Sequence, residues 1–338
     1  MSMREASRRV LDGVPELQWG KSGDCTFAGA LEAATAATDF PCDYTAVMGA
    51  TGLAFRTRWF SGPSKVRWCP SSPVGEGPAE IGAARRATGW ALRFEPISEP
   101  TDRLTSEIVR SIDAGLPVLA YDATLNVAVI CGYKDGGRTA LMRAYGQGAD
   151  LVSMPTAGLQ LQAIFLDARI VPLPPVEAAR QGIQLALASA KRGHDATAED
   201  RGYWLGPAAL AHWRDDIAAA DSYTDDERRV LFFVSWWNFQ ALVDARRRAV
   251  AYLHAVAALF PDSAAEALLD AAEIYRMEHC NLDAAFTAGD AFQGPWLGAQ
   301  GGDAALWTPQ ARDRERELLS TAAALEKQAL ATLGKADV

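Results

Sequence analysis

The proline-rich segment Pro172-Leu173-Pro174-Pro175 separates two halves of the chain that differ in hydrophobic periodicity. Before this segment, short apolar runs alternate with polar residues between Gly-containing turns, a pattern typical of β-strands. After it, apolar residues recur almost continuously at helical spacing. The sequence therefore predicts an α+β protein, with a mixed first domain over residues 1–171 and an all-helical second domain over residues 176–338.

The first half contains closely spaced strand patterns joined by tight turns, which favours an antiparallel sheet. A predicted helix over residues 25–38 precedes these strands, and we expect it to pack against the sheet. A turn followed by a strand is predicted within residues 48–59. Further strands are predicted at 91–96, 116–121, 126–133, 139–144 and 162–170, and further helices at 43–49, 79–88 and 101–114.

Cys25 stands at the start of the first predicted helix, directly after the turn residues Gly23 and Asp24. A helix N-terminus carries roughly half a positive charge, which favours a thiolate over a thiol. The thiolate is the nucleophilic form of cysteine, so Cys25 is a candidate nucleophile. The structural alternative is a small apolar residue buried at a helix start.

Three features in this order resemble the papain-like bacterial cysteine peptidases that process leader peptides. They are Gln18 followed by Cys25, the stretch Gly115-x-Pro117-Val118, and a strand that runs from Asn126 to Gly132-Tyr133. The stretch Met48-Gly49-x-x-Gly52-Leu53-x-Phe55 is similar to a variant of that superfamily, the acyltransferases like the N-terminal part of butirosin-biosynthesis protein H. The resemblance implies a papain-like first domain, with Cys25 as nucleophile and Gln18 as a donor to the oxyanion.

Asn126 stands where the resemblance requires the histidine base. An asparagine amide cannot accept a proton from a thiol near neutral pH. Residues 26–193 contain no histidine, so a Cys–His pair within the first domain is excluded and Asn126 is expected to orient or bind substrate. The four histidines of the chain are His194, His212, His254 and His279.

Three interpretations of this site remain open. In the first interpretation, a histidine of the second domain reaches Cys25. In the second, the helix dipole and Arg56 stabilise a thiolate, which attacks an activated thioester without a base. The resemblance then implies cysteine-dependent acyl transfer, or amide or thioester hydrolysis, on a small molecule or short peptide in a biosynthetic pathway. In the third interpretation the protein is a catalytically inactive papain-like binding or scaffold protein.

Candidate substrate-binding residues are Asp24, Phe55, Arg56, Asp122 and Trp236, around an expected cleft between the domains. Arg56 and Trp236 have structural alternatives, since arginines on a strand face are ordinarily solvated and tryptophans at helical spacing are ordinarily core. A charged helix face, also expected to be solvated, comprises Asp244, Arg246, Arg247 and Arg248.

Composition excludes several classes of partner. A net charge of −9 argues against nucleic acid, and no apolar run reaches the roughly 18 residues of a membrane span. Five cysteines without paired spacing favour a reducing cytoplasm. Neither CxxC nor HExxH occurs, so we expect no metal and no cofactor.

The resemblance to biosynthetic acyltransferases implies an acyl carrier protein as one donor of the acyl group. Such an acidic carrier needs a basic patch on a protein of this charge, and the candidate residues are Arg56, Arg58, Lys65 and Arg67. A homo-oligomer formed through the helical domain is a further option.

Overall fold

The computed structural model describes residues 8–62, 77–97, 102–195, 202–288 and 307–336. The chain divides into two compact units, of which one comprises Met1–Val47 and Ala84–Leu173 and the other Met48–Ala83 and Pro174–Val338. The sequence interpretation placed one boundary near residue 172, whereas the structure groups residues 48–83 with the C-terminal half. The Gly-rich stretches 61–79 and 288–303, which the sequence predicts to be loops, lie for the most part outside the described residues.

The described residues contain ten strands and nine α-helices. The strands are β1 (Arg9–Val10), β2 (Arg58–Trp59), β3 (Trp90–Pro96), β4 (Val118–Tyr121), β5 (Val127–Lys134), β6 (Thr139–Arg143), β7 (Val152–Pro155), β8 (Gln160–Arg169), β9 (His194–Asp195) and β10 (Tyr203–Leu205). The helices are α1 (Thr26–Ala36), α2 (Tyr44–Ala50), α3 (Gly77–Thr88), α4 (Asp102–Asp113), α5 (Pro175–Arg192), α6 (Pro207–Ala218), α7 (Asp225–Ala257), α8 (Asp262–Ala288) and α9 (Pro309–Leu333).

The first unit is built on an antiparallel sheet in the order β3-β8-β4-β5-β6-β7, with β1 added beside β5. This confirms the predicted antiparallel sheet. Strands β4, β5 and β6 follow one another through short turns, as the sequence pattern indicated. Strands β1 and β7 escaped prediction because two or four residues are too few to show an alternating pattern.

Helices cover both faces of this sheet. Leu104, Ile108 and Ile112 of α4 pack with alternate residues of β4 and β5, such as Val118 and Ile130. Helix α1 also packs on β4 and β5, but none of its residues belongs to the cluster formed with α4. Because successive side chains of a strand point to opposite faces, α1 covers the face of the sheet opposite to α4. The start of α1 therefore lies beside the start of β5, where the sequence predicted the site.

The second unit is helical except for a small sheet in the order β2-β10-β9. The prediction of an all-helical second domain is wrong at this point, because Tyr203–Leu205 pairs with Arg58–Trp59 from a distant part of the sequence. The strand predicted within residues 48–59 is also shorter than expected, because it comprises only Arg58–Trp59. Gly52, at φ +78°, instead leads into a 3-10 turn over Leu53–Phe55.

Helix α7 is continuous over 33 residues and begins with a capping box between Thr224 and Glu227. It packs against α8, and α9 packs against α8 and α6. The core between these helices is rich in aromatic side chains, and its largest members are Trp59, Trp213, Trp236, Phe232, Phe239 and Trp307.

A buried ionic cluster lies within the second unit. Arg246 of α7 donates to Glu278 of α8 at 2.9 Å and to Glu326 of α9 at 2.8 Å, and all three side chains are 0 % exposed. Its remaining donors reach the Ala54 carbonyl and the Thr57 hydroxyl. The expectation of a solvated helix face is therefore wrong for Arg246 and for Asp244, whose side chain is 2 % exposed, whereas the Arg247 side chain is half exposed.

None of the described helices is both long enough and apolar enough to cross a membrane.

Candidate functional site

Cys25 is the N-cap residue of α1, with extended backbone angles of φ −86° and ψ 99°. Its thiol is not in a disulfide, and the residue is only 1 % exposed. The predicted position at the helix start is confirmed. The burial fits the structural alternative for this residue, because an attacking thiol needs access to its substrate.

The ring of Tyr44 closes off the backbone at Cys25. The Cys25 N–H donates to the Tyr44 hydroxyl at 3.0 Å, and Tyr44 is itself 3 % exposed. Gly23 makes room for the ring, since a Cβ at this position, where φ is +81°, would lie 2.1 Å from Tyr44 Cζ. Glu32 of α1 holds Tyr44 in place by accepting its backbone N–H at 2.8 Å.

Gln18 and Asp24 belong to the turn that leads into α1. The Gln18 N–H donates to Ser22 Oγ at 3.0 Å, and the Gln18 carbonyl accepts the Ser22 N–H at 2.8 Å. The Asp24 carboxylate accepts the Gly20 N–H at 3.0 Å. Asp24, a predicted substrate-binding residue, thus acts as a turn residue, and Gln18 is held through its backbone.

The structure brings the Cys25 and Asn126 positions together. Thr26 Oγ1 accepts the Val127 N–H at 3.1 Å, so the residue after Cys25 contacts the residue after Asn126. This contact joins the first residue of α1 to the first residue of β5. The positions of Cys25 and Asn126 are therefore neighbours in space, at the starts of α1 and β5.

The side chain of Asn126 stabilises the turn between β4 and β5. Its amide donates to Thr124 Oγ1 at 2.9 Å, and its backbone N–H donates to Asp122 Oδ1 at 3.1 Å. The same carboxylate oxygen accepts the Thr124 N–H at 2.8 Å. Asp122 and Asn126 thus have a structural role that the sequence analysis had not considered for them.

The unit that contains Cys25 has no histidine in its sequence, because all four histidines belong to the second unit. There, His194 and His212 lie against the Trp204 ring, with ring centroids 4.3 and 3.6 Å apart. His254 is exposed, and burial lowers the pKa of the half-buried His279. The ring contacts of His194 and His212 are those of packed side chains.

Arg56 lies in the second unit and is buried there. It forms an ion pair with Glu80, and the two side chains are 2 % and 6 % exposed. Arg58 is also buried, with its guanidinium carbon 3.7 Å from the centre of the Tyr203 ring. Neither arginine belongs to a solvated strand face, and neither is available to a basic docking patch. Lys65 and Arg67 lie outside the described residues.

Arg56 borders a cavity of about 240 Å³ within the second unit. Arg56 is one of the predicted candidates for substrate binding. The α5 residues of the cavity carry no such signal in the sequence, because they belong to an ordinary amphipathic helix. The cavity is lined by Thr51, Gly52, Arg56, Ala79, Glu80, Leu185, Ala186, Ala188, Ser189 and Arg192.

Two other candidates for substrate contact are core residues of the second unit. Phe55 packs against Tyr275 and Tyr252, with ring centroids 5.6 and 6.3 Å apart. Trp236 belongs to the buried aromatic core. Both side chains are therefore core residues, as the structural alternative for Trp236 predicts.

Within the described ranges, no three His, Cys, Asp or Glu side chains are grouped so that they hold a metal ion. Compared with known protein families and with curated proteins, the sequence matches none of them.

Proposed function

We propose that the chain is a non-catalytic binding protein on a papain-like frame, and that it binds a small molecule or short peptide without turnover at Cys25. The hydrogen bond from the Cys25 N–H to Tyr44 carries this proposal. In cysteine and serine acyl transfer the backbone N–H of the nucleophile is a usual donor to the oxyanion. Here a buried hydroxyl already accepts it.

The position of the base supports the same proposal. Asn126 has no basic site, and its amide is bonded to Thr124 within the turn. A nucleophile also needs an approach path for the substrate, whereas Cys25 is 1 % exposed. The thiol, the oxyanion donor and the base position thus each lack something that acyl transfer requires.

The cavity beside Arg56 supports a binding role for the protein. It lies in the second unit, among residues that are independent of Cys25. Concave sites with apolar walls and a few polar groups are the usual places for small ligands. A binding function therefore requires no chemistry from the thiol.

A thioester probe tests this proposal. The protein is incubated with the butyryl thioester of N-acetylcysteamine and analysed by intact mass and peptide mapping, with Cys25→Ala as the control. We expect no butyryl adduct at Cys25. An adduct that forms on Cys25 within minutes and is absent from Cys25→Ala would contradict the proposal.

A second candidate function is cysteine-dependent acyl transfer from an activated thioester. The contact between Thr26 and Val127 favours it, because Cys25 at the N-terminus of α1 then lies near Asn126, the residue before β5. In this reaction the Cys25 thiolate attacks the thioester carbonyl and the donor thiolate leaves. An acceptor amine then displaces Cys25 and releases its proton to solvent. The butyryl adduct described above is the result that this candidate predicts.

A further inference from the structure

The cavity beside Arg56 is bounded by α5 on one side and by Gly52 on another. Gly52 has a φ of +78°, and a Cβ there would lie 3.1 Å from both Leu185 Cβ and the Gly182 carbonyl oxygen. The small side chains of Ala186 and Ala188 form part of the wall. Gly52 thus lets the chain lie close against α5, and the small alanine side chains line the space beside this contact.

Ser189 contributes a polar group to this space. Its hydroxyl oxygen is buried and has no hydrogen-bond partner. A serine within a helix ordinarily bonds to the carbonyl four residues before it, and buried hydroxyls are rarely left unpaired. The Ser189 hydroxyl is therefore available to donate to a ligand.

Three charged side chains are among the described residues that line the cavity. Arg56 and Arg192 are the two cations, and Glu80, which pairs with Arg56, is the anion. Arg192 is exposed and is the last residue of α5. The helix end itself carries partial negative charge, which Lys191 and Arg192 offset. An anionic group at the mouth of the cavity is thus next to a guanidinium.

We propose that this cavity binds a small organic carboxylate with a compact apolar body, of the size of benzoate. The carboxylate accepts hydrogen bonds from the Ser189 hydroxyl and the Arg192 guanidinium, and the apolar body lies against Gly52, Leu185 and Ala186. Charged hydrogen bonds to arginine supply orientation, and the apolar wall supplies contact area. This inference rests on the binding role proposed above and names the class of ligand.

The test compares benzoate with its neutral analogue benzamide by saturation-transfer NMR and calorimetry on the full chain. We expect benzoate to bind with a dissociation constant on the order of 1 mM or tighter, as for a small fragment. Arg192→Gln and Ser189→Ala should each weaken benzoate by about fivefold or more. The matched control is Arg180→Gln, which removes another arginine of α5 that does not line the cavity and should leave affinity unchanged.

Three results would overturn the inference. They are no benzoate binding at about 10 mM, equal affinity for benzoate and benzamide, or equal affinity in Arg192→Gln and Arg180→Gln. Circular dichroism melts confirm that each variant folds. The butyryl-adduct experiment is independent of this test. If an adduct forms at Cys25 and benzoate also binds, only the non-catalytic proposal is wrong. If no adduct forms and benzoate does not bind, only the carboxylate site is wrong.

Discussion

The contact between Gly23 and Tyr44 determines whether the Cys25 backbone is accessible. The Tyr44 ring occupies the position that a side chain at residue 23 needs, and its hydroxyl takes the Cys25 N–H. The sequence predicted Cys25 at a helix start from local pattern alone. Tyr44 lies 19 residues further along the chain, and no local pattern reports such a contact.

Substitution of Gly23 by alanine tests this packing. The new Cβ would lie 2.1 Å from Tyr44 Cζ, and the alanine would have to adopt an unfavourable φ of +81°. We expect the free energy of unfolding to fall by about 2–4 kcal/mol, as for overpacking combined with backbone strain. Urea titration measures the change.

Gly20→Ala is the matched control for this substitution. Gly20 also has a positive φ, +74°, but a Cβ there meets nothing within 4 Å. Backbone strain alone should cost about 1 kcal/mol. Equal losses for the two variants would show that the Tyr44 ring does not fill the space beside Gly23.

The hairpin between β4 and β5 is maintained by one carboxylate. Asp122 Oδ1 accepts the Thr124 N–H, the Thr124 hydroxyl at 2.6 Å and the Asn126 N–H. The strands themselves could be predicted, because each shows a sustained apolar pattern. The role of Asp122 could not, because a polar residue after a strand fits a turn and a ligand site equally well.

We expect Asp122→Ala to destabilise the first unit by about 1–3 kcal/mol, since it leaves the turn donors without their acceptor. Asp122→Asn keeps an acceptor oxygen at the same place and should recover much of the loss. Thermal melts of the two variants measure this difference. Full stability of Asp122→Ala would contradict a structural role for the carboxylate.

Glu315 of α9 is a buried carboxylate whose hydrogen-bond donors are neutral side chains. Glu315 accepts from Trp307 Nε1 at 2.8 Å and from the Ser235 hydroxyl of α7, with no cation among these partners. Burial in the aromatic core raises the pKa of Glu315 to about 8, although hydrogen bonds from Ser235, Trp307 and Trp213 lower it in part. In the unfolded chain a glutamate titrates near pH 4.3.

This difference predicts a pH-dependent stability. The folded-state pKa lies above the unfolded one, so the contribution of Glu315 is complete below about pH 4.3 and is lost as pH rises through about 8. The difference in unfolding free energy between wild type and Glu315→Gln should therefore fall between pH 5 and 8, by at most about 1.4 kcal/mol per pH unit.

Urea titrations at pH 5, 6, 7 and 8 measure this difference. Glu317→Gln, an exposed glutamate of the same helix, is the control and should show no such trend. A difference between wild type and Glu315→Gln that stays constant across the range would contradict the expected titration.

At the scale of the molecule, the division into two units could be predicted only in part. The proline-rich segment 172–175 marks one boundary, because the periodicity changes there. Residues 48–83 join the C-terminal half through contacts such as Ala54 and Thr57 with Arg246, which are distant in sequence. The helical spacing of Arg246 among charged neighbours resembles that of a solvated face, so its burial could not be predicted.

Removal of the Arg246 charge should lower the free energy of unfolding of the second unit. Arg246→Met leaves Glu278 and Glu326 buried without their cation, and we expect a loss of about 3–5 kcal/mol. Arg247→Met, at a half-exposed position of the same helix, should cost less than about 1 kcal/mol. Urea titration of both variants measures the contrast, and similar losses would contradict the central role of the ionic cluster.

We propose that Cys25 is a sequestered thiol rather than an activated nucleophile. Alkylation by iodoacetamide at pH 7, followed by peptide mass spectrometry, measures it within one chain, with exposed Cys280 as the internal reference. We expect Cys25 in the native protein to react at least about tenfold more slowly than Cys280, since its labelling requires local opening, and the two rates to converge in urea. Faster labelling of Cys25 than of Cys280 in the native protein would contradict the claim.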